Sequence, residues 1–270
     1  MVTLFYYQFI QNAFLAGTVV AIVAAVVGYF LIARGLTFAG HALSHIGFAG
    51  AAAALVAGVD PLVGMLIFTV AAGAIIGFSG KPLREQDISI GVVLTFMLGL
   101  GALFIALYSG YAEQAYSILF GTVLGISRAE VMLIAGCSLV VLVSLVLLYR
   151  PLLFSTFDPE VAASRGVPVR FLMIIFLLLT AVAVAVAVPV VGVMLIFTLL
   201  VGPAATAMRL THRPLSAIIL AIVLGLGYTW LGIFLAMRGS WPVSFYIAAL
   251  SFGVYLPVRL LTAEAAKNSK

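Results

Sequence analysis

Long apolar runs, each ended by a short polar, glycine- or proline-containing interruption, recur along the whole chain. A helix that crosses a membrane needs about 20 mainly apolar residues, within a range of about 17–25. Because that length recurs so often, the pattern predicts an all-α bundle of eight or nine transmembrane helices, with eight if one run lies in the interface. The predicted spans are Phe9–Ala33, Gly40–Gly58, Leu62–Ser79, Ile88–Tyr108, Val131–Tyr149, Phe171–Val188, Val190–Met208, Leu215–Met237 and Val243–Leu261.

Two places in this pattern depart from simple alternation. The segment Tyr116–Ile126 is apolar but too short to cross a bilayer, and glycines at 121 and 125 weaken it as a helix. We predict an interfacial or re-entrant piece there. Little more than Pro189 separates the sixth and seventh predicted spans, so we predict that the helix breaks at this proline.

The composition agrees with a membrane protein. Apolar residues make up 65% of the 270 residues and charged residues 8%, whereas soluble domains average about 45–50% and about 25%. We therefore predict an integral membrane protein surrounded by lipid, with 1–270 forming a single transmembrane domain.

The charges predict an orientation. In the predicted layout, Arg128 and Arg238 fall on one side, and the rest of the 13 lysines and arginines fall on the other. Basic residues are enriched in cytoplasmic loops, so we expect the N-terminus outside and the C-terminus in the cytoplasm. The same bias accounts for the net charge of +5, so we expect no nucleic-acid partner.

Two of the chain's three histidines, His41 and His45, lie in the run GHALSHIGFAG of the second predicted span. Residues four apart share one face of a helix, so both imidazoles can bind one metal ion or pass it along. Ionisable groups inside a membrane are costly and mark pathways or sites, and imidazole suits zinc. The alternative is that neighbouring backbone groups or Ser44 satisfy both rings. We favour a metal site because two histidines occur together.

The longest polar interruption contains the signals of a short cytoplasmic helix. Asp158 suits the N-cap, Pro159 the first helical position and Glu160 the first turn, and Gly166 suits a left-handed end. Such a helix can dock on a partner, or it can be a surface helix that docks on nothing.

A third motif, VVGVMLIFTLLVGPAATA, carries Gly192 and Pro203. The proline is expected to kink its span, and the small residues around it leave room for a neighbouring helix. A gate and an ordinary kinked helix are both compatible with this pattern.

Together, GHALSHIGFAG, FDPEVAASRGVPVR and VVGVMLIFTLLVGPAATA resemble the permeases of zinc and manganese uptake ABC importers, a group that includes the ZnuB-type zinc permeases. The resemblance implies a type II permease fold, like that of vitamin B12 importers, in a bacterial cytoplasmic (inner) membrane. It implies a permease homodimer, a pair of cytoplasmic ATP-binding subunits, and a periplasmic or surface metal-binding protein. It also implies that residues 157–168 form the coupling helix, with Asp158, Pro159, Glu160, Ala163, Gly166 and Pro168.

The resemblance also bears on the metal. In these permeases the position of His41 is often an aspartate, so the histidine here removes a hard oxygen ligand and favours zinc. The expected function is the permease subunit of a divalent-metal importer that takes zinc, with manganese or iron as the alternative cargo. No permanently bound cofactor is expected.

Three further observations bear on other classes of protein. The chain has no G-x-x-x-x-G-K-[ST] phosphate loop, so ATP hydrolysis is expected on a separate subunit and the permease is not expected to be an enzyme. An ion-coupled carrier would need carboxylates deep in the predicted spans, and the layout places none there. An intramembrane metalloprotease would need a general base as in H-E-x-x-H, but Ala, Leu and Ser stand between the histidines.

Overall fold

The computed structural model describes residues 7–79, 83–108, 119–121 and 125–268. In this part of the chain every regular element is a helix. In chain order the helices are α1 (Gln8–Ala33), α2 (Thr37–Ala57), α3 (Pro61–Ser79), α4 (Leu83–Leu107), α5 (Arg128–Leu147), α6 (Tyr149–Phe157), α7 (Pro159–Ser164), α8 (Val169–Val191), α9 (Val193–Leu210), α10 (Pro214–Ala236) and α11 (Val243–Asn268).

Nine of the helices in the described residues are long and apolar enough to cross a membrane, namely α1–α5 and α8–α11. This confirms the prediction of a helical membrane bundle in its nine-span form. Most of the predicted interfacial segment, Tyr116–Ile126, lies outside the described residues.

The centre of the bundle consists of α1, α2 and α8, which are mainly buried, while α4, α5 and α11 expose most of their surface. Helix α2 packs against α3 and α4, and it also contacts α8 and α9. Helix α1 packs against α9 and α10. The second predicted span is therefore a central helix with neighbours on several sides.

Close backbone approach holds α2 against α3. A Cβ atom added at Gly50 would collide with the carbonyl oxygen of Gly64, and one added at Gly64 would collide with that of Gly50. In lipid, helices associate by packing rather than by the hydrophobic effect, so small residues at the crossing point permit this contact. The small residues of the GHALSHIGFAG run thus serve to fix the helix that carries the histidines.

The predicted break at Pro189 is wrong. Helix α8 continues through Pro189 to Val191, and the chain turns at Gly192, which has φ 85° and ψ 156°. This backbone region is essentially restricted to glycine. The turn therefore follows the residue that can adopt the conformation, and the proline lies within the last turn of the helix. Helix α9 runs unbroken through Pro203 as far as Leu210.

The polar interruption, which the sequence predicts from Phe154 to Arg170, is shorter in the structure, because Tyr149–Phe157 forms the additional helix α6 and α8 begins at Val169. The chain leaves α5 at Leu148, and Pro151 becomes the third residue of the new helix. A proline is tolerated in the first turn, where the backbone N–H has no partner within the helix.

Candidate metal site

The two histidines lie in the N-terminal half of α2. At 1.5 Å per residue, His41 is about 6 Å and His45 about 12 Å along the axis from the first residue of the helix. Their ring centroids are 4.6 Å apart, with an angle of 79° between the ring planes. Both side chains are half-buried. The rings therefore occupy one location on one face, as a shared cation site requires.

A third ring fixes the direction in which this face points. The ring of Phe197, on α9, lies 4.8 Å from the ring of His41 at an angle of 63°. Because α9 packs against α1, α2, α10 and α11, His41 points toward another helix of the bundle and away from a purely lipid surface. The contact also restricts rotation of the imidazole.

The hydrogen bonds leave the His41 ring available. The Ser44 hydroxyl donates to the backbone carbonyl oxygen of His41 at 2.7 Å, so it does not satisfy an imidazole nitrogen. Nδ1 of His41 is buried and has no hydrogen-bond partner within the described residues. Buried polar atoms normally have partners, and a neutral imidazole nitrogen is the commonest protein ligand for metals.

The pair supplies only part of a coordination sphere. Among the described residues, no group of three or more His, Cys, Asp or Glu side chains is arranged to bind a metal ion. Zinc takes four ligands in its structural sites, so two imidazoles would leave positions for water or for groups from another molecule. Incomplete coordination suits a site that an ion must enter and leave.

The second predicted motif folds as expected from its sequence. The carboxylate Oδ1 of Asp158 accepts a hydrogen bond from the Val161 N–H at 3.0 Å, and Pro159 is the first residue of α7. Gly166 ends this segment with φ 80°. Glu160 and Ala163 are exposed, while Ala162 is fully buried against the bundle. The capped helix thus presents an open face of the kind that a partner can dock on.

Gly192, predicted as a gate or kink, lies against another backbone segment. A Cβ atom at Gly192 would collide with the backbone of Leu119 and Phe120, and one at Gly121 would meet the backbone at Gly192. Pro203 is eleven residues further along the chain, about 16 Å along the axis of α9. Its ring packs near α10, since a Cβ atom added at Gly225 would lie 3.7 Å from Cγ of Pro203. The structure therefore places the two predicted gate residues at different levels of the bundle.

Sequence reasoning missed one polar residue at the start of the linker that leads into α2. Arg34, in the linker between α1 and α2, donates through Nη2 to the Ser155 hydroxyl at 2.6 Å and to the Leu152 carbonyl oxygen at 3.0 Å. Its guanidinium also lies 5.5 Å from the centroid of the Phe176 ring. Burial lowers the pKa of Arg34 to about 10, so the group stays charged at pH 7. In the sequence it is indistinguishable from the other basic residues at predicted helix ends.

Comparison with known proteins shows which family and which relatives this chain matches. Residues 6–262 match the model of the ABC 3 transport family. The chain is 34% identical over 232 residues to the manganese transport system membrane protein MntC of Halalkalibacterium halodurans, covering 86% of this chain and 80% of that protein. It is 30% identical over 263 residues to the manganese import system permease protein ScaB of Streptococcus parasanguinis, covering 97% and 94%.

A solved structure has a similar fold. A chain of PsaBC from Streptococcus pneumoniae, determined in complex with a Fab, superimposes with a TM-score of 0.85 at 28% identity. The alignment covers 96% of this chain and 95% of that one. This likeness confirms the predicted all-α permease fold.

Proposed function

We propose a specific function from the premise that this chain belongs to the ABC 3 transport family and is the membrane-spanning permease of an ABC metal importer. Such subunits are not enzymes, and ATP is hydrolysed on a separate subunit. In our proposal the whole chain, 1–270, is one permease domain that takes up zinc, with its N-terminus outside the cell and its C-terminus in the cytoplasm.

The proposal rests on one observation: His41 and His45 share one face of a central helix, and the buried His41 Nδ1 has no partner within the described residues. In our proposal the pair binds zinc transiently between its arrival from an extracytoplasmic binding protein and its release. A permease homodimer would bring two such pairs together. Four imidazoles would match the four-coordinate preference of zinc.

In the same proposal, α7 is the coupling helix, and the ATP-binding subunits dock on its exposed face. The arrangement supports this because Asp158 and Gly166 fix the two ends of a helix whose polar residues face outward. Gly192, where two backbone segments touch, acts as part of the gate, and Pro203 shapes the span that carries Phe197.

Manganese is the second candidate cargo, and the names of the relatives favour it, since MntC and ScaB are manganese permeases. The donor set favours zinc, because two imidazoles lack the hard oxygen ligand that manganese prefers. We choose zinc because the donor atoms of this chain would contact the ion themselves, whereas the relatives' names describe other proteins.

The test is uptake into proteoliposomes that contain this permease with its ATP-binding subunits and its metal-binding protein. We expect accumulation of labelled zinc that requires ATP and that excess manganese inhibits weakly. Uptake that proceeds without ATP would refute the importer mechanism. Preferential ATP-dependent uptake of manganese would refute the choice of cargo and leave the importer intact.

Replacing His41 with aspartate should shift the cargo preference toward manganese. The substitution exchanges a nitrogen ligand for a hard oxygen ligand at the same position. We expect the ratio of zinc to manganese uptake to fall about tenfold, equivalent to about 1.4 kcal/mol of differential binding. Competitive uptake of the two labelled ions measures the ratio.

His212→Asp is the matched control, because His212 is exposed in the linker after α9. The same change of charge at that position should leave the ratio as in the unaltered protein. An equal shift in both variants would show that the charge of the whole protein, rather than the ligand, determines the preference.

A further inference from the structure

Arg34 connects three parts of the bundle that are far apart in the sequence. It begins the three-residue linker that joins α1 to α2. Its Nη2 donates to Leu152 and Ser155, both on α6, and its guanidinium lies over the ring of Phe176 on α8. A single side chain thus connects the linker before α2 to both α6 and α8.

The partners of Arg34 are unusual for a charged group. They are a backbone carbonyl, a hydroxyl, an aromatic face and, at 4.0 Å, the sulfur of Met173. Leu152, Ser155 and Phe176 are all buried, and Nε of Arg34 is buried without a hydrogen-bond partner in the described part of the chain. A cation partly withdrawn from water, as the half-buried Arg34 is, costs free energy that neutral partners offset only in part. A contact that served packing alone could be made by an apolar side chain without the cost of desolvating a charge.

The position of this contact links the two functional motifs. Helix α6 leads directly into α7, because Asp158 is both the C-cap of α6 and the N-cap of α7. At the other end, Arg34 precedes His41 by seven residues and precedes the first residue of α2 by three. A displacement of α7 would therefore move α6 and, through the Arg34 hydrogen bonds, the end of α2 that carries His41.

We propose that Arg34 is a positioning residue that transmits movement of α7 to the histidine pair on α2. The inference rests on the proposed function, in which α7 receives the ATP-binding subunits and the histidines bind the cargo. The guanidinium suits this role because it donates from Nη2 to two acceptors on α6 while its plane lies over the Phe176 ring, a combination that a lysine ammonium does not reproduce.

The first test compares Arg34→Met, Arg34→Lys and Ser155→Ala in proteoliposomes, measuring zinc transported per ATP hydrolysed. We expect Arg34→Met to keep hydrolysing ATP while the ratio falls at least about tenfold, with Arg34→Lys between Arg34→Met and the unaltered protein. Ser155→Ala removes one acceptor and should lower the ratio less. It also provides the test if Arg34→Met fails to fold. Arg209→Met is the control, because Arg209 is an exposed arginine 5.7 Å from the ring of Tyr255.

Unchanged transport per ATP in all Arg34 and Ser155 variants would overturn the proposal. An equal decrease in Arg209→Met would also overturn it, since any lost arginine would then have the same effect.

A second measurement does not depend on the cargo. The chain's one cysteine, Cys137, is replaced by serine and His41 by cysteine, so that position 41 carries the permease's single thiol. The rate at which a thiol reagent labels position 41 is then compared with and without ATP bound to the partner subunits. We expect ATP to change this rate at least threefold, and Arg34→Met, but not Arg209→Met, to abolish the change. This result would support the role of Arg34 even if the cargo is not zinc. A rate that ATP does not alter, or that still responds to ATP in Arg34→Met, would refute it.

Discussion

A permease in which both His41 and His45 are alanine should take up metal at least about a hundredfold more slowly, although its helices should still assemble. The double substitution removes both nitrogen ligands that each protomer supplies in our proposal. Loss of a group that merely supports a ligand typically lowers metal affinity by about 10–100-fold, so loss of the ligands should lower uptake by at least about a hundredfold. Initial rates of ATP-dependent zinc uptake measure the effect.

Ser44→Ala provides the control for this variant. Ser44 lies between the two histidines, but within the described residues its hydroxyl bonds to the backbone carbonyl of His41 and not to an imidazole nitrogen. We expect normal uptake from it, and we expect both variants to elute as the unaltered protein does in size-exclusion chromatography. Uptake that persists in the double variant would exclude the histidine pair as the cargo site.

Gly192→Val should lower stability more than any other single change considered for this chain. The conformation at Gly192, φ 85° and ψ 156°, costs a non-glycine residue up to about 3 kcal/mol. A side chain would also collide with the backbone of Leu119 and Phe120, which adds about 1–3 kcal/mol for overpacking. We expect a loss of about 3 kcal/mol or more, measured as reduced folded yield and earlier thermal unfolding in detergent.

Gly136→Val is the matched control for this substitution. Gly136 is an exposed residue of α5, and a Cβ atom there would meet nothing within 4 Å. Its stability should change by less than about 1 kcal/mol, the range of helix propensity differences. If both valine variants unfold alike, the backbone contact at Gly192 does not determine stability.

The sequence predicts much of this structure because the membrane imposes simple rules. A helix that crosses lipid must be long and apolar, so all nine predicted spans could be placed from hydrophobicity, and seven of them agree with the observed helix within three residues at both ends. The same holds for α7, since Asp158 and Pro159 are local signals of a helix start. The histidines could be placed on one face by spacing alone.

Other features depend on tertiary contacts that no local pattern encodes. Helix α6 was missed because Arg150 and Pro151 are typical of a loop. In the structure, Leu152 and Ser155 are buried in the bundle and accept hydrogen bonds from Arg34. The end of α8 was misplaced because a proline is a stronger local signal than a glycine. Only the contact between Gly192 and the segment at Leu119–Gly121 shows which residue turns the chain.

The brevity of α7 limits how the docking face that we propose for it can be imitated. Its six residues form less than two turns, and short helices are unstable in water without tertiary packing. A free peptide with the sequence of residues 157–168 would therefore spend most of its time unfolded and would compete poorly for an ATP-binding subunit. An inhibitor based on this surface would need a covalent brace across the turn, so that the ordering provided here by Asp158 and buried Ala162 is built in before binding.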